Sequence, residues 1–271
     1  MKRRDMPHEI APGAFVMKQA MRRGLFVTGT DTGVGKTQVT AALARLLVER
    51  QLMVRPRKPV ESGCRSHRFL TDCDTSAIPG SRREGNRLLP NDALELQTAA
   101  LSKEVLERIC PYTFETALSP ERAAALAGIS LTLDELRSAC LDGVANSDFL
   151  LVEGAGGFYS PLATHVLNAD LTEALSLPVL LVAADRLGAI NHTLLAVEAI
   201  KTRGLTLAGV VLNRIERHRD PLMDNVEDLS NWLGQTVIVT EHFTSAEGSP
   251  GWMQLCPSLV TLADGLAADT R

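Results

Sequence analysis

The strongest constraint in this chain is a nine-residue segment, Gly29-Thr30-Asp31-Thr32-Gly33-Val34-Gly35-Lys36-Thr37, set between an apolar run and an amphipathic one. Gly24–Gly29 (GLFVTG) reads as a buried strand, and the spacing of Val39, Leu43, Leu46 and Leu47 predicts a helix from about Lys36 to Gln51. A glycine-rich turn between strand and helix presents backbone N–H groups and the positive helix end to an anion. The ending Gly-Lys-Thr is that of a Walker A phosphate loop, although five residues rather than four separate Gly29 from Gly35. In such a loop Lys36 reaches the β- and γ-phosphates of ATP and the Thr37 hydroxyl can ligate Mg²⁺. Asp31, Thr32, Gly33, Val34 and Gly35 supply the chain that wraps the phosphates.

The rest of the chain alternates in the same manner. Phe149–Glu153 (FLLVE), Pro178–Ala183 (PVLLVA) and Leu207–Asn213 (LAGVVLN) are nearly all apolar, which suits strands covered on both faces. Met53–Pro59 and Val237–Thr240 are further strands, and Asp185–Arg203 supplies a crossover helix. Asp92–Leu101 and Glu104–Ile109 read as helical. Ser119-Pro120-Glu121 and Thr132–Glu135 are helix starts. The pattern predicts an α/β fold of the P-loop NTPase type, with a mostly parallel central sheet and helices on both faces. With 271 residues and no second composition regime, residues 21–271 are expected to form one domain, with 1–20 a loose extension. Cys64–Pro90 lacks periodicity and reads as a long loop, a kind that is usually functional or disordered.

Composition narrows the partners. The 28 basic and 32 acidic residues give a net charge of −4, which argues against broad nucleic-acid or anionic-membrane binding. Five cysteines, odd in number and without a CxxC pair, indicate neither a disulfide framework nor a zinc site. No apolar run is long enough to span a membrane, and Met1–Arg23 lacks the apolar core of a secretory signal. A cytoplasmic protein is expected.

A bound nucleotide needs further groups if it is to react. Glu153 ends FLLVE and is followed by Gly154-Ala155-Gly156-Gly157, so it is placed to approach Mg²⁺ from a strand end beside a close-approaching backbone. Asp92, in Asn91-Asp92-Ala93-Leu94, reads on its own as an N-terminal helix charge.

Together these pieces resemble the dethiobiotin synthetase family. The likeness rests on GTDTGVGKT at Gly29–Thr37, KPVESG at Lys58–Gly63, NDALEL at Asn91–Leu96 and PYTFETALSPERAA at Pro111–Ala124. It continues through VEGAGGFYSPL at Val152–Leu162, DRLGAINHTLLAVEAI at Asp185–Ile200 and AGVVLNRI at Ala208–Ile215. The family's longer phosphate-loop spacing matches as well.

The resemblance implies a reaction. The substrates are 7,8-diaminopelargonate, CO₂ or bicarbonate, and ATP, and the products are dethiobiotin, ADP and phosphate. It implies a carbamate whose oxygen attacks the γ-phosphate, giving a carbamic–phosphoric anhydride that the second amine closes. Lys36 and Lys58 become the catalytic cations, and Thr37, Asp92 and Glu153 the Mg²⁺ ligands. Thr32, Lys58 and Ser62 contact the substrate or carbamate, while Asn213 reads the adenine edge. The resemblance further implies a homodimer with shared sites, in which Gly188, Ala189, Ile190 and Asn191 of one subunit bind the diamine's carboxylate over the other's phosphate loop. Two departures stand out: Gly33 replaces a Glu found in some members, and Glu121 stands where His is common. A Pro-containing adenine loop corresponds only loosely to Glu241–Pro250.

Two other classes share parts of the pattern. ATPase switches of the partition and nitrogenase-iron-protein type commonly carry a second Lys early in the loop, where this chain has Thr30, Asp31 and Thr32. Cobyrinate-type synthetases carry a glutaminase domain, for which the stretch after Asn213 is too short.

Overall fold

The structure is a computed structural model, and it describes residues 22–67, 87–217, 220, 222–242 and 250–268. The expected extension (1–20), most of the expected loop (68–86, with Cys73) and residues 243–249 of the expected adenine loop lie outside the described residues.

The chain begins with β1 (Gly24–Gly29), α1 (Lys36–Glu49), β2 (Val54–Arg57) and β3 (Val60–Ser62). Next come β4 (Arg65–His67), β5 (Arg87–Leu89), α2 (Asn91–Ala99), α3 (Leu106–Ile109) and β6 (Tyr112–Phe114). The middle holds α4 (Pro120–Leu126), α5 (Leu133–Leu141), β7 (Phe149–Gly157), β8 (Pro161–Ala163), β9 (Val166–Leu167) and α6 (Asn168–Leu175). It ends with β10 (Val179–Ala184), α7 (Ala189–Thr202), β11 (Leu207–Asn213), α8 (Asn225–Leu233), β12 (Ile238–Thr240) and α9 (Cys256–Ala268).

Six strands form the central sheet in the order β12-β11-β10-β1-β7-β2, and every neighbouring pair is parallel. Side-chain alternation explains its two faces. Leu25 and Val27 of β1, with Leu151, Leu180 and Val182, pack under α1, α2 and α9 against Leu43, Leu47, Leu96 and Leu259. Phe26, Leu150 and Val152 point the other way, toward α4, α5 and α6 through Ala123, Leu136 and Leu171. Leu181, Val210 and Leu212 continue that second face under α7 and α8, against Val197, Ile200 and Leu229. The nearly all-apolar runs are therefore strands buried on both sides. Among the described residues no helix is long and apolar enough to cross a membrane.

The expected elements form with shifted ends: the first helix stops at Glu49, and only Leu106–Ile109 of the segment after Glu104 is helical. Thr132 makes a full capping box with Glu135, while Ser119 precedes Pro120 without a side-chain cap bond. The stretch from Cys64 to Pro90 is not wholly irregular, since its two ends pair as antiparallel β4 and β5. β3 and β6 form a separate parallel pair at the edge of the site.

β1 lies between β10 and β7, so the loops after all three meet at one carboxyl edge of the sheet. In open α/β sheets that edge, where the strand order reverses, is the usual ligand crevice.

Candidate active site

The loop after β1 is built for an anion. Gly35, at the start of α1, has φ 88°, a backbone conformation that favours glycine, and a Cβ there would overlap the Asn213 side chain. α1 starts without a side-chain cap and without an acidic residue in its first turn, which leaves its positive end for a phosphate. The Lys36 ammonium folds back onto the Asp31 carbonyl at 2.9 Å, and the Thr32 N–H donates to the Asp31 carboxylate at 2.7 Å. Arg186, after β10, lies 3.5 Å from the same carboxylate.

A cavity of about 700 Å³ opens over this loop. Thr32, Gly33, Gly35, Lys36 and Thr37 line one side, and Lys58, Glu61, Ser62, Asp92 and Glu153 the other. Leu118, Ser119 and Pro120 close the rim, and Ser62 Oγ donates to the Leu118 carbonyl at 2.7 Å.

Lys58 stands at the centre. It follows β2, and its N–H donates to the Ile109 carbonyl at 2.8 Å. Its ammonium lies 2.6 Å from Glu153 Oε1 and 2.8 Å from Asp92 Oδ2. Burial works against the charge, but the combined field of Glu153, Asp92 and Glu61 outweighs it and holds the Lys58 pKa above the ordinary lysine value. Lys36 behaves oppositely: burial first, then repulsion from Lys58, lowers it to about 8. Asp92 is held below the ordinary carboxylate value because Lys58, with help from Thr37 and Lys36, overcomes the cost of burial.

The residues present fit a divalent cation. Thr37 Oγ donates to Glu153 Oε1 at 2.9 Å, and Asp92 lines the same cavity. Glu153 is fully buried, yet its Oε2 has no hydrogen-bond partner. An orphaned buried carboxylate oxygen beside a hydroxyl and a second carboxylate is the oxygen-donor set that suits Mg²⁺.

The structure thus brings Lys36, Thr37, Lys58, Ser62, Asp92 and Glu153 to one cavity. Asn213 is buried behind the loop: its Nδ2 donates to the Val34 carbonyl at 3.0 Å, and its Oδ1 accepts from Thr240 at 2.7 Å. Gly188, Ala189, Ile190 and Asn191 form the start of α7 and are not among the residues lining this cavity.

Two residues escaped the sequence reading. Glu61 lies in KPVESG, but only its position on β3 turns it toward α2. Asn168 is fully buried and donates to the carbonyls of Ala155 and Gly157 at 2.7 and 2.8 Å, while its Oδ1 accepts from the Ala155 N–H at 3.2 Å. It fixes the turn that follows Glu153, and no motif marked it.

The sheet, the phosphate loop and the buried lysine–carboxylate cluster define a P-loop nucleotide-binding α/β protein. An ATP-dependent dethiobiotin synthetase from Anaeromyxobacter dehalogenans is 44% identical over 199 residues, covering 73% of this chain and 80% of the relative. One from Xanthomonas campestris is 39% identical over 246 residues, covering 91% and 96%. The chain belongs to the dethiobiotin synthetase family, and it is an ATP-dependent enzyme of that family.

A family model described as "AAA domain" matches residues 23–240. Among solved structures, the MinC:MinD cell division protein complex of Aquifex aeolicus matches with a TM-score of 0.52 and 13% identity, covering 91% of this chain and 96% of that chain. At that identity the likeness concerns the fold alone.

Proposed function

We propose that the enzyme carboxylates and cyclises 7,8-diaminopelargonate to dethiobiotin with ATP, as the resemblance implies. The observation that carries this reading is a phosphate loop facing the buried Lys58–Glu153 pair, with Asp92 beside it, across one cavity.

One amine of the diamine adds to CO₂ and loses a proton, giving a carbamate. An aliphatic amine is protonated near neutral pH, so it reacts only where its charge is disfavoured. Lys36 and Lys58 supply that positive field and hold the carbamate oxygens near the γ-phosphate. A carbamate oxygen then displaces ADP from the γ-phosphorus. The second amine attacks the carbonyl carbon of the resulting carbamic–phosphoric anhydride, expels phosphate and closes the ring. Asp31 to Thr37 wrap the phosphates, Asn213 stands on the adenine side, and Thr32 and Ser62 contact the carbamate end. Thr37, Asp92 and Glu153 would hold Mg²⁺, which neutralises charge on the phosphates during transfer. In a homodimer the α7 start, Gly188–Asn191, of one subunit would take the substrate carboxylate over the partner's cavity.

Labelled bicarbonate tests this reading. Incubation with ATP and the diamine is expected to fix label in an acid-stable product, because a ring ureide survives acid and a carbamate does not. Label lost on acidification would contradict ring closure.

A further inference from the structure

We propose that Glu61 is a positioning residue for the reaction: from β3 its carboxylate clamps the start of α2 and so sets where Asp92 stands against Lys58 and Thr37. The inference rests on the reading of Asp92 as a metal ligand.

The local sequence of α2 creates the need. Its N-cap residue is Pro90, which makes no side-chain cap bond and has no side-chain acceptor to offer. A capping side chain normally accepts from the second or third N–H of the helix. Here those belong to Asp92 and Ala93, and Glu61 accepts both: Oε1 from the Asp92 N–H and Oε2 from the Ala93 N–H, each at 3.1 Å. The cap therefore comes from more than thirty residues away, in the form of a two-pronged carboxyl group. Two such bonds fix direction as well as distance.

The clamp has a firm base. Glu61 is 7% exposed, and its strand pairs with β6 in the register Glu61↔Thr113. The Asp92 side chain is 40% exposed, so packing alone does not hold it. Lys58, which binds the Asp92 carboxylate, lies three residues before Glu61 in the same segment. One stretch of chain thus grips Asp92 twice: by its carboxylate through Lys58, and by its backbone through Glu61. Both Glu61 oxygens already accept backbone N–H groups, which separates this role from that of a ligand to substrate.

The test measures Mn²⁺ binding in the presence of a non-hydrolysable ATP analogue by electron paramagnetic resonance, together with turnover, KM for ATP and thermal unfolding. Glu61→Ala is expected to weaken Mn²⁺ binding about tenfold and to lower kcat by a similar factor, with KM for ATP nearly unchanged. Asp92→Asn is expected to weaken Mn²⁺ at least as much. Adding Pro90→Ser to Glu61→Ala supplies a local cap; it is expected to recover thermal stability while leaving Mn²⁺ binding weak. If the local cap restores Mn²⁺ binding, Glu61 is only a helix cap and the proposal falls. Normal Mn²⁺ binding by Glu61→Ala, beside weak binding by Asp92→Asn, overturns the proposal alone. Normal binding by Asp92→Asn overturns the metal reading and the proposal with it. Should Glu61→Ala not fold, Glu61→Gln keeps the volume and one acceptor and is expected to weaken Mn²⁺ about threefold; wild-type binding by that variant again overturns the proposal.

Discussion

The Lys58 ammonium and the Glu153 carboxylate meet at 2.6 Å, the lysine side chain 4% exposed and the glutamate fully buried. Two charges so placed make removal of either expensive, because the survivor stays buried without its partner. The pair is therefore a structural element of the cavity wall, whatever it contributes to turnover.

Lys58→Ala is expected to reduce turnover by about 10²–10³-fold through loss of a donor to the transferring group. It is also expected to lower unfolding stability by about 3 kcal/mol. Mg²⁺ with ATP is expected to recover part of that loss by giving Glu153 and Asp92 a counter-charge. Chemical denaturation with and without Mg·ATP checks this; wild-type stability in the variant would contradict the buried pair.

Lys36 should show the opposite sign. Its folded pKa, about 8, lies below the ordinary 10.5, so between those values the unfolded chain holds more protons and stability rises with pH. Below pH 8 the buried ammonium costs stability at its full value. Lys36→Met is expected to raise the unfolding free energy of the nucleotide-free protein at pH 7 by about 2 kcal/mol while abolishing turnover. The gain should shrink between pH 8 and 10.5. A destabilised Lys36→Met protein would contradict the desolvation of this lysine.

Glu153→Gln removes the charge but keeps the shape. It is expected to raise the Mg²⁺ concentration needed for half-maximal rate by about tenfold or more and to cut turnover more than it weakens ATP binding. Metal titrations at fixed ATP decide this, and an unchanged titration would remove Glu153 from the metal site.

The shared-site reading is tested by subunit mixing. Asn191 is exposed near the start of α7, and Asn191→Glu would repel a substrate carboxylate there without burying a charge. Combined with Lys36→Ala in equal amounts, random reassembly gives roughly half mixed dimers, each with one intact composite site. Activity should then return to about a quarter of wild type. No recovery would place each site within one chain.

How much of this was legible in the sequence follows from the range of each interaction. The phosphate loop, β1 and α1 are contiguous, so local pattern shows them. Phe149–Glu153 and Leu207–Asn213 announce buried strands because both their faces are apolar. The β3–β6 pair did not show, since three-residue strands carry too little alternation, and their pairing depends on contacts about fifty residues apart. Glu61 and Asn168 were invisible for a related reason: each satisfies backbone groups of a distant segment, and a side chain that bonds backbone leaves no partner residue type to recognise. Asp92 reads locally as a helix-start charge, and it is one; only the family resemblance marks it further, and its ion pair with Lys58 appears only once the chain folds.

The proposed reaction couples ATP cleavage in this cavity to carboxylation of a diamine. The direct measurement is ADP release with the purified chain, ATP and Mg²⁺, adding the diamine and bicarbonate singly and together. Release is predicted only with both present, one ADP per dethiobiotin formed. ADP released at the same rate without the diamine, or without bicarbonate, would contradict the account.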